Sequence, residues 1–234
     1  MPLHFVRRLS PAAVLGLWHL TEGPEALWPL LPPAYRPLLP PTAGPTRQAH
    51  WLGVRALAHA LAAELLPGAD FLIRNDAEGR PWPDGAPQPL QVSLSHSGEW
   101  AAALLSTAGP VGVDIEIIRK KAQRLATMFL SAEEMAAAAA LPAVSATQRY
   151  SLLWSAKETL YKLAARPGLI FAEQLLLDAA AVQIRPEIGD EAGPAAGLRP
   201  GDMGGDDAGL LPRGVRGRGE IAMLVALGIV NAYL

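Results

Sequence analysis

The stretch Val111 to Ile118, VGVDIEII, decides how the chain is read. Its β-branched residues and two-residue alternation mark a strand, with Val111, Val113, Ile115 and Ile117 on one face. Gly112, Asp114 and Glu116 share the other face, which sets two carboxylates roughly 7 Å apart along the backbone with no lysine or arginine between them. A one-sided antiparallel strand with its acids in water shows the same alternation. A pair of like charges is nevertheless unfavourable unless a cation or a base faces it.

Working outward, QVSLS, the SHSG turn and EWAAALLS upstream of this strand read as a hairpin. The TAGP turn then leads into VGVDIEII, so a three-strand meander with the acidic strand at one end is expected. Before it, FLIRNDAEGRPWPDG is a strand followed by a turn-rich loop. Arg47 to Leu66 carries apolar residues at helical spacing and stops at Pro67-Gly68, the first strong helix. Residues 29–45 hold seven prolines and the echo PLLPP at 29–33 and 37–41, which predicts a stiff connector with no continuous helix. VLGLWHL, from Val14, suits a first strand. Arg7-Arg8 ahead of LSPAAVLGLWHL faintly resembles an export signal, but Pro11 and His19 interrupt the run and no small-residue cleavage pattern follows.

Downstream, Ser131 with Glu134 forms a capping box for an alanine-rich helix ending at Pro142. A second long helix spans Thr147 to Ala165. Leu152, Leu153, Ala156, Leu160, Leu163 and Ala164 predict its core stripe, with Trp154, Lys157, Glu158, Tyr161 and Lys162 opposite. An ordinary surface helix shows charges there but not two aromatics as well, so this helix is expected to touch something on both faces. Glu158 and Lys162 also match an ordinary i,i+4 surface pair. Residues 185–219 are rich in Gly, Pro and Asp without periodicity and read as a loop, after which the last 14 residues return as a strand.

Composition narrows the classes. The 234 residues are 50 % hydrophobic and 18 % charged, ample for a globular core. A net charge of −2 offers no electrostatic case for nucleic acid or an anionic membrane. With no cysteine, thiol nucleophiles and Cys-type zinc sites are excluded, and a reducing cytoplasm fits. The C-terminal apolar stretch is shorter than the ~20 residues of a membrane span. No phosphate-binding glycine loop, dinucleotide fingerprint or zinc-protease helix is present. Ser95, His96 and Asp114 are the types of a hydrolase triad but lack the GxSxG elbow. Hydroxyls, an imidazole and turn amides at 93–98 also suit an anion.

Taken in order, GRP at 79–81, SLSHSGEW at 93–100, VGVDIE at 111–116, FLSAEE at 129–134 and WSAKETLYK at 154–162 resemble the 4'-phosphopantetheinyl transferases, in particular the two-lobed, monomeric, Sfp-type group. The resemblance implies an α+β fold of two similar α/β lobes related by a pseudo-twofold, each an antiparallel sheet on a long helix. Residues 1–108 would form the coenzyme A side, and 109–234 the metal and helix side. It further implies transfer of the 4'-phosphopantetheine arm of coenzyme A to a serine of an apo acyl or peptidyl carrier protein, with Mg²⁺ and release of adenosine 3',5'-bisphosphate, as in holo-acyl-carrier-protein synthases.

Carried over, Asp114, Glu116 and Glu158 match the metal ligands, with Glu158 as base. Lys157 and Lys162 match lysines near the coenzyme phosphates, Lys162 with His96 facing the leaving group. Ser95 and His96 match the phosphate-contacting turn, and Arg80 the basic position of G-[KR]-P. Arg47 and Arg55 match the nucleotide-end residues, while His59 stands where a further arginine is expected. Ala165 to Leu177 matches the carrier-facing segment. A degenerate relative that only binds carrier or coenzyme A, and a Mg²⁺-dependent phosphohydrolase, are the alternatives.

Overall fold

A computed structural model describes residues 3–87, 89–140, 145–177 and 221–227. The segment 185–219 lies outside the described residues. The chain begins with strands β1 (Leu3–Ser10) and β2 (Ala13–His19), followed by the short helix α1 (Pro24–Leu27) and the long helix α2 (Pro45–Leu65). Strands β3 (Leu72–Asn75), β4 (Pro81–Asp84), β5 (Gln91–Ser97), β6 (Trp100–Ser106) and β7 (Val111–Ile117) come next. Helices α3 (Lys120–Arg124), α4 (Ala126–Phe129), α5 (Ala132–Ala139), α6 (Ala146–Ala164) and α7 (Phe171–Gln174) precede the last strand, β8 (Ile221–Leu227). The result is a mixed α/β fold with antiparallel sheets.

The main sheet runs β1-β2-β6-β5, all antiparallel. Its two faces are apolar for the period-two reason. Val14 and Trp18 turn toward Leu52, Leu57 and Leu61 of α2, while Leu15, Leu17 and Leu104 turn toward Val111, Val113 and Ile115 of β7. The hairpin β5–β6 closes at Gly98, whose φ of +56° is a conformation L side chains rarely adopt.

Several expectations are corrected. The meander is not formed: β7 pairs through its backbone with β8, antiparallel from Val111 opposite Leu227 to Ile117 opposite Ile221. It meets the main sheet through side chains, since Val113, Ile115 and Ile117 donate their N–H groups to the hydroxyls of Ser93, Ser95 and Ser97. The constant spacing of 20 residues means β5 and β7 run parallel. Arg7-Arg8 lie in β1, where Arg8 donates to the carbonyls of Pro11 and Glu64.

The proline-rich segment is not a bare connector. It forms 3-10 turns at Trp28–Leu30 and Pro33–Leu38 that bury Leu31 and Tyr35 under α2. Prolines at the first positions of short helical turns fix φ without removing a needed donor. The Tyr35 hydroxyl accepts from Ile73 N–H and lies within hydrogen-bond distance of His59 Nε2, 2.8 Å away, so His59 serves the core and not a nucleotide.

α6 also differs from its predicted stripe. Leu153, Ala156 and Leu163 are buried as expected, but Leu152, Leu160 and Ala164 are only half-buried. The face toward β7 is lined by Ser151, Ser155 and Thr159, all buried. Ser155 donates to the Asp114 carbonyl at 3.2 Å, and the Ser151 hydroxyl accepts from Arg119 N–H at 3.3 Å. This close approach requires Gly112, because a Cβ there would stand 2.4 Å from the Thr159 carbonyl oxygen. Backbone cannot yield as a side chain does. Gly112→Ala is therefore expected to cost about 3 kcal/mol of stability by overpacking, read from chemical denaturation.

Candidate active site

β7 delivers the acids and α6 delivers the groups that face them. Asp114 is 5 % exposed, so a solvated sheet face does not describe it. Its Oδ1 accepts from Ser95 Oγ at 2.8 Å and from Lys162 Nζ at 2.7 Å. Its Oδ2 is buried and has no hydrogen-bond partner. Two residues on, Glu116 accepts from Ser97 Oγ at 3.0 Å through Oε2 and from Trp154 Nε1 at 3.3 Å through Oε1. Trp154 is itself stacked on Phe171 and edge-on to Phe129.

Glu158 lies one helical turn beyond Trp154 on α6. Burial pushes its carboxyl above the ordinary range, Lys162 pulls it back, and Asp114 and Glu116 push it further up. The three acids therefore share one electrostatic field. Among the described residues they do not gather into a group of three metal-ligating side chains, and Lys162 is the cation lying on Asp114.

Glu158 lines a cavity of about 310 Å³ with Arg80, Tyr161, Lys162 and Arg166, whereas Glu116 lines a separate cavity of about 310 Å³ with Ser97, Arg119 and Trp154. Gly79 joins the Glu158 cavity to another, of about 480 Å³, lined by Arg47, Trp51, Arg55, Arg74 and Asn75. Arg47 is exposed there. Arg55 is not a free ligand: its guanidinium lies 3.7 Å from the Trp51 ring centroid and donates to Ile73 O, Trp51 O and Asn75 Oδ1. Burial lowers its pKa to about 10. His96 stacks on His50 with centroids 4.4 Å apart, and His50 Nε2 lies 2.7 Å from the Gly98 carbonyl. Desolvation beside its neighbours, then nearby His50 and Lys162, lower His96 to about 4 although the residue is exposed, so its imidazole is neutral at pH 7.

Two residues expected at the coenzyme phosphates are engaged elsewhere. The Ser95 hydroxyl accepts from Ile115 N–H and donates to Asp114. Lys157 is fully buried, and its ammonium donates to Glu134 at 2.7 Å and to the carbonyls of Phe171 and Leu175. Glu134 keeps the predicted capping box with Ser131 and also accepts from Leu177 N–H at 2.6 Å. These contacts direct Lys157 toward α5 and α7 and not into the cavity, and burial draws its pKa down while Glu134 holds it up.

From sequence, His50 and Arg166 carry no expectation, and Glu134 is expected only in a helix cap and Ser97 only in an anion-suited turn. One signal was available: the alternation S-L-S-H-S has the same period as V-D-I-E-I, as strand neighbours that meet side chain to backbone require.

Lys157→Met is expected to lower stability by about 3–5 kcal/mol, as removal of one partner of a buried pair does. Glu158→Gln is expected to act in the opposite direction. A carboxyl raised in the folded state binds its proton more tightly there, so stability falls as pH rises above the ordinary glutamate range. In chelator, the Gln variant should melt higher than the parent at pH 7, and the gain should vanish below about pH 4, where both states hold the proton.

Residues 110–192 match the model of the 4'-phosphopantetheinyl transferase superfamily. The chain is 32 % identical over 113 residues to 4'-phosphopantetheinyl transferase psf-1 of Bacillus pumilus, covering 48 % of this chain and 47 % of that protein. It is 36 % identical over 135 residues to 4'-phosphopantetheinyl transferase AcpT of Escherichia coli K12, covering 56 % and 64 %. Identity to AcpT of Salmonella typhimurium is 35 % over 118 residues, covering 50 % and 58 %. The chain thus spans between about half and just under two-thirds of the length of these curated relatives. The acid strand β7 and the lysine-bearing helix α6 both fall within the segment that is similar to the 4'-phosphopantetheinyl transferase superfamily.

Proposed function

We propose that the protein transfers the 4'-phosphopantetheine group of coenzyme A to a serine of an apo carrier protein, as a Sfp-type enzyme of the holo-acyl-carrier-protein synthase kind. The observation that carries this reading is the acid row of Asp114, Glu116 and Glu158, in which Asp114 is buried with Oδ2 unpartnered and Glu158 lines a cavity together with Lys162 and Arg80. Every donor in that row is a carboxylate oxygen, the type a hard divalent cation selects, and an inward buried oxygen without a partner is what such an ion would satisfy. Asp114, Glu116 and Glu158 are the residues that would hold Mg²⁺, which when bound neutralises pyrophosphate charge.

The chain's own residues then divide the work. Arg80 and Lys162 place positive charge along the cavity in which the pyrophosphate would lie. Glu158, whose proton affinity is raised, takes the proton of the carrier serine as its oxygen bonds to the phosphorus bearing the pantetheine arm. The bond from that phosphorus to the bridging oxygen breaks, and the pair stays on adenosine 3',5'-bisphosphate. Lys162 meets that developing charge, and a neutral His96 supplies a hydrogen bond to it. Arg47 with Trp51 and Arg74 form the nucleotide end.

Residues 165–177 belong to the carrier-facing surface in this reading, supported by the exposure of Ile170 and Leu176 at the ends of α7. A coenzyme-side lobe ending near residue 108 and an acid-side lobe after it are part of the same proposal. Separate apolar clusters on α2 and α6 support that division.

Incubation of an apo carrier with coenzyme A and Mg²⁺ is expected to add the phosphopantetheine mass to the carrier. Chelation should abolish the gain, and Glu158→Gln should slow it by about 10²–10⁴-fold. Binding of coenzyme A without any gain would identify a degenerate relative. Free phosphopantetheine formed without carrier would identify a phosphohydrolase.

A further inference from the structure

We propose that Ser95 and Ser97 are positioning residues that hold the carboxylates of Asp114 and Glu116 in place for a divalent cation, with the Trp154 indole as a third holder. This rests on the reading of the acid row above.

The argument begins from what a hydroxyl can do: donate one proton and accept through its lone pairs. Three serines alternate along β5, each buried and each accepting an N–H from β7: Ser93 from Val113, Ser95 from Ile115 and Ser97 from Ile117. Those bonds fix the oxygen positions and so direct the remaining proton. At Ser95 it meets Asp114 Oδ1 at 2.8 Å, and at Ser97 it meets Glu116 Oε2 at 3.0 Å. In both cases the acid is the residue just before the donating N–H, so one strand register supplies both contacts.

The second oxygen of each acid is treated differently. Glu116 Oε1 takes the Trp154 N–H at 3.3 Å, whereas Asp114 Oδ2 is buried and open. At Asp114 the Ser95 hydroxyl and Lys162 hold Oδ1 and leave Oδ2 presented in a defined direction, whereas at Glu116 both oxygens are held and the carboxylate as a whole is fixed, each oxygen keeping a lone pair. Each carboxylate has lost the freedom to turn away, which otherwise weakens cation binding.

Ser93 supplies the internal control. It makes the same seam bond but, among the described residues, donates to no acid. A purely architectural role predicts equal effects from all three serines; a positioning role separates Ser93 from the others.

The test is an electron paramagnetic resonance titration that counts free Mn²⁺ against the full chain, without coenzyme A, paired with melting curves. Ser93→Ala, Ser95→Ala and Ser97→Ala are all expected to lower the melting temperature. Only Ser95→Ala and Ser97→Ala should weaken Mn²⁺ binding, by about tenfold or more. Ser97→Thr, which keeps the hydroxyl, should restore it. Trp154→Phe, which keeps the ring and loses the N–H, should weaken it as Ser97→Ala does. Mn²⁺ affinity unchanged in Ser95→Ala and Ser97→Ala, or weakened equally in Ser93→Ala, would overturn the positioning role alone. A parent chain that binds no Mn²⁺ would overturn the acid-row reading and this inference with it.

Discussion

The structure depends on how β7 is held without a backbone partner on its inner side. A strand buried between a sheet and a helix must satisfy its N–H and C=O groups, because each one left unpaired costs about 1–3 kcal/mol. β8 takes the groups of one edge. On the other edge serine hydroxyls from β5 take the N–H groups of Val113, Ile115 and Ile117 and Lys162 donates to the Val113 carbonyl, while Ser155 of α6 adds a bond to the Asp114 carbonyl. Side chains that bridge strands in this way leave more room than a backbone ladder. That extra room is where the carboxylates of Asp114 and Glu116 sit.

The same constraint explains the small residues around the strand. A helix faced by Ser151, Ser155 and Thr159 can approach closely only where the strand itself is bare, and Gly112 provides that point. Close approach brings Lys162 onto Asp114 and Trp154 onto Glu116, so packing and electrostatics share one cause. On its far side α6 is anchored by Lys157, whose ammonium ties Glu134 of α5 to the carbonyls of Phe171 and Leu175 at the two ends of α7. Charge is thus distributed to two different purposes on adjacent residues. Lys157 holds the segment after the helix, while Glu158 faces the cavity.

Much of this was legible in particular residues. The alternation of VGVDIEII, the cap at Ser131 with Glu134, and the breakers at Pro67-Gly68 and Pro167-Gly168 act over a few residues, and the corresponding elements form where local chemistry requires. The proline-rich segment misled because proline limits φ but does not state what is packed nearby. Tyr35 and Leu31 are drawn into the core by apolar surface on α2 that the segment cannot reveal by itself. Lys157 misled for a related reason. A lysine on an amphipathic pattern reads as solvated, and only a carboxylate 23 residues away makes its burial tolerable.

By itself the sequence determined the long helices, the strand that carries the acids, the helix that carries Glu158 and Lys162, and the resemblance to the transferases, because short-range periodicity and motif spacing are properties of local chain geometry. Tertiary structure alone decided that β7 runs parallel to β5, that Ser95 serves Asp114, that Lys157 is internal and that His96 stacks on His50. Those outcomes turn on which hydrogen-bonding group is the nearest available partner once distant segments are packed together, and no local pattern encodes that distance.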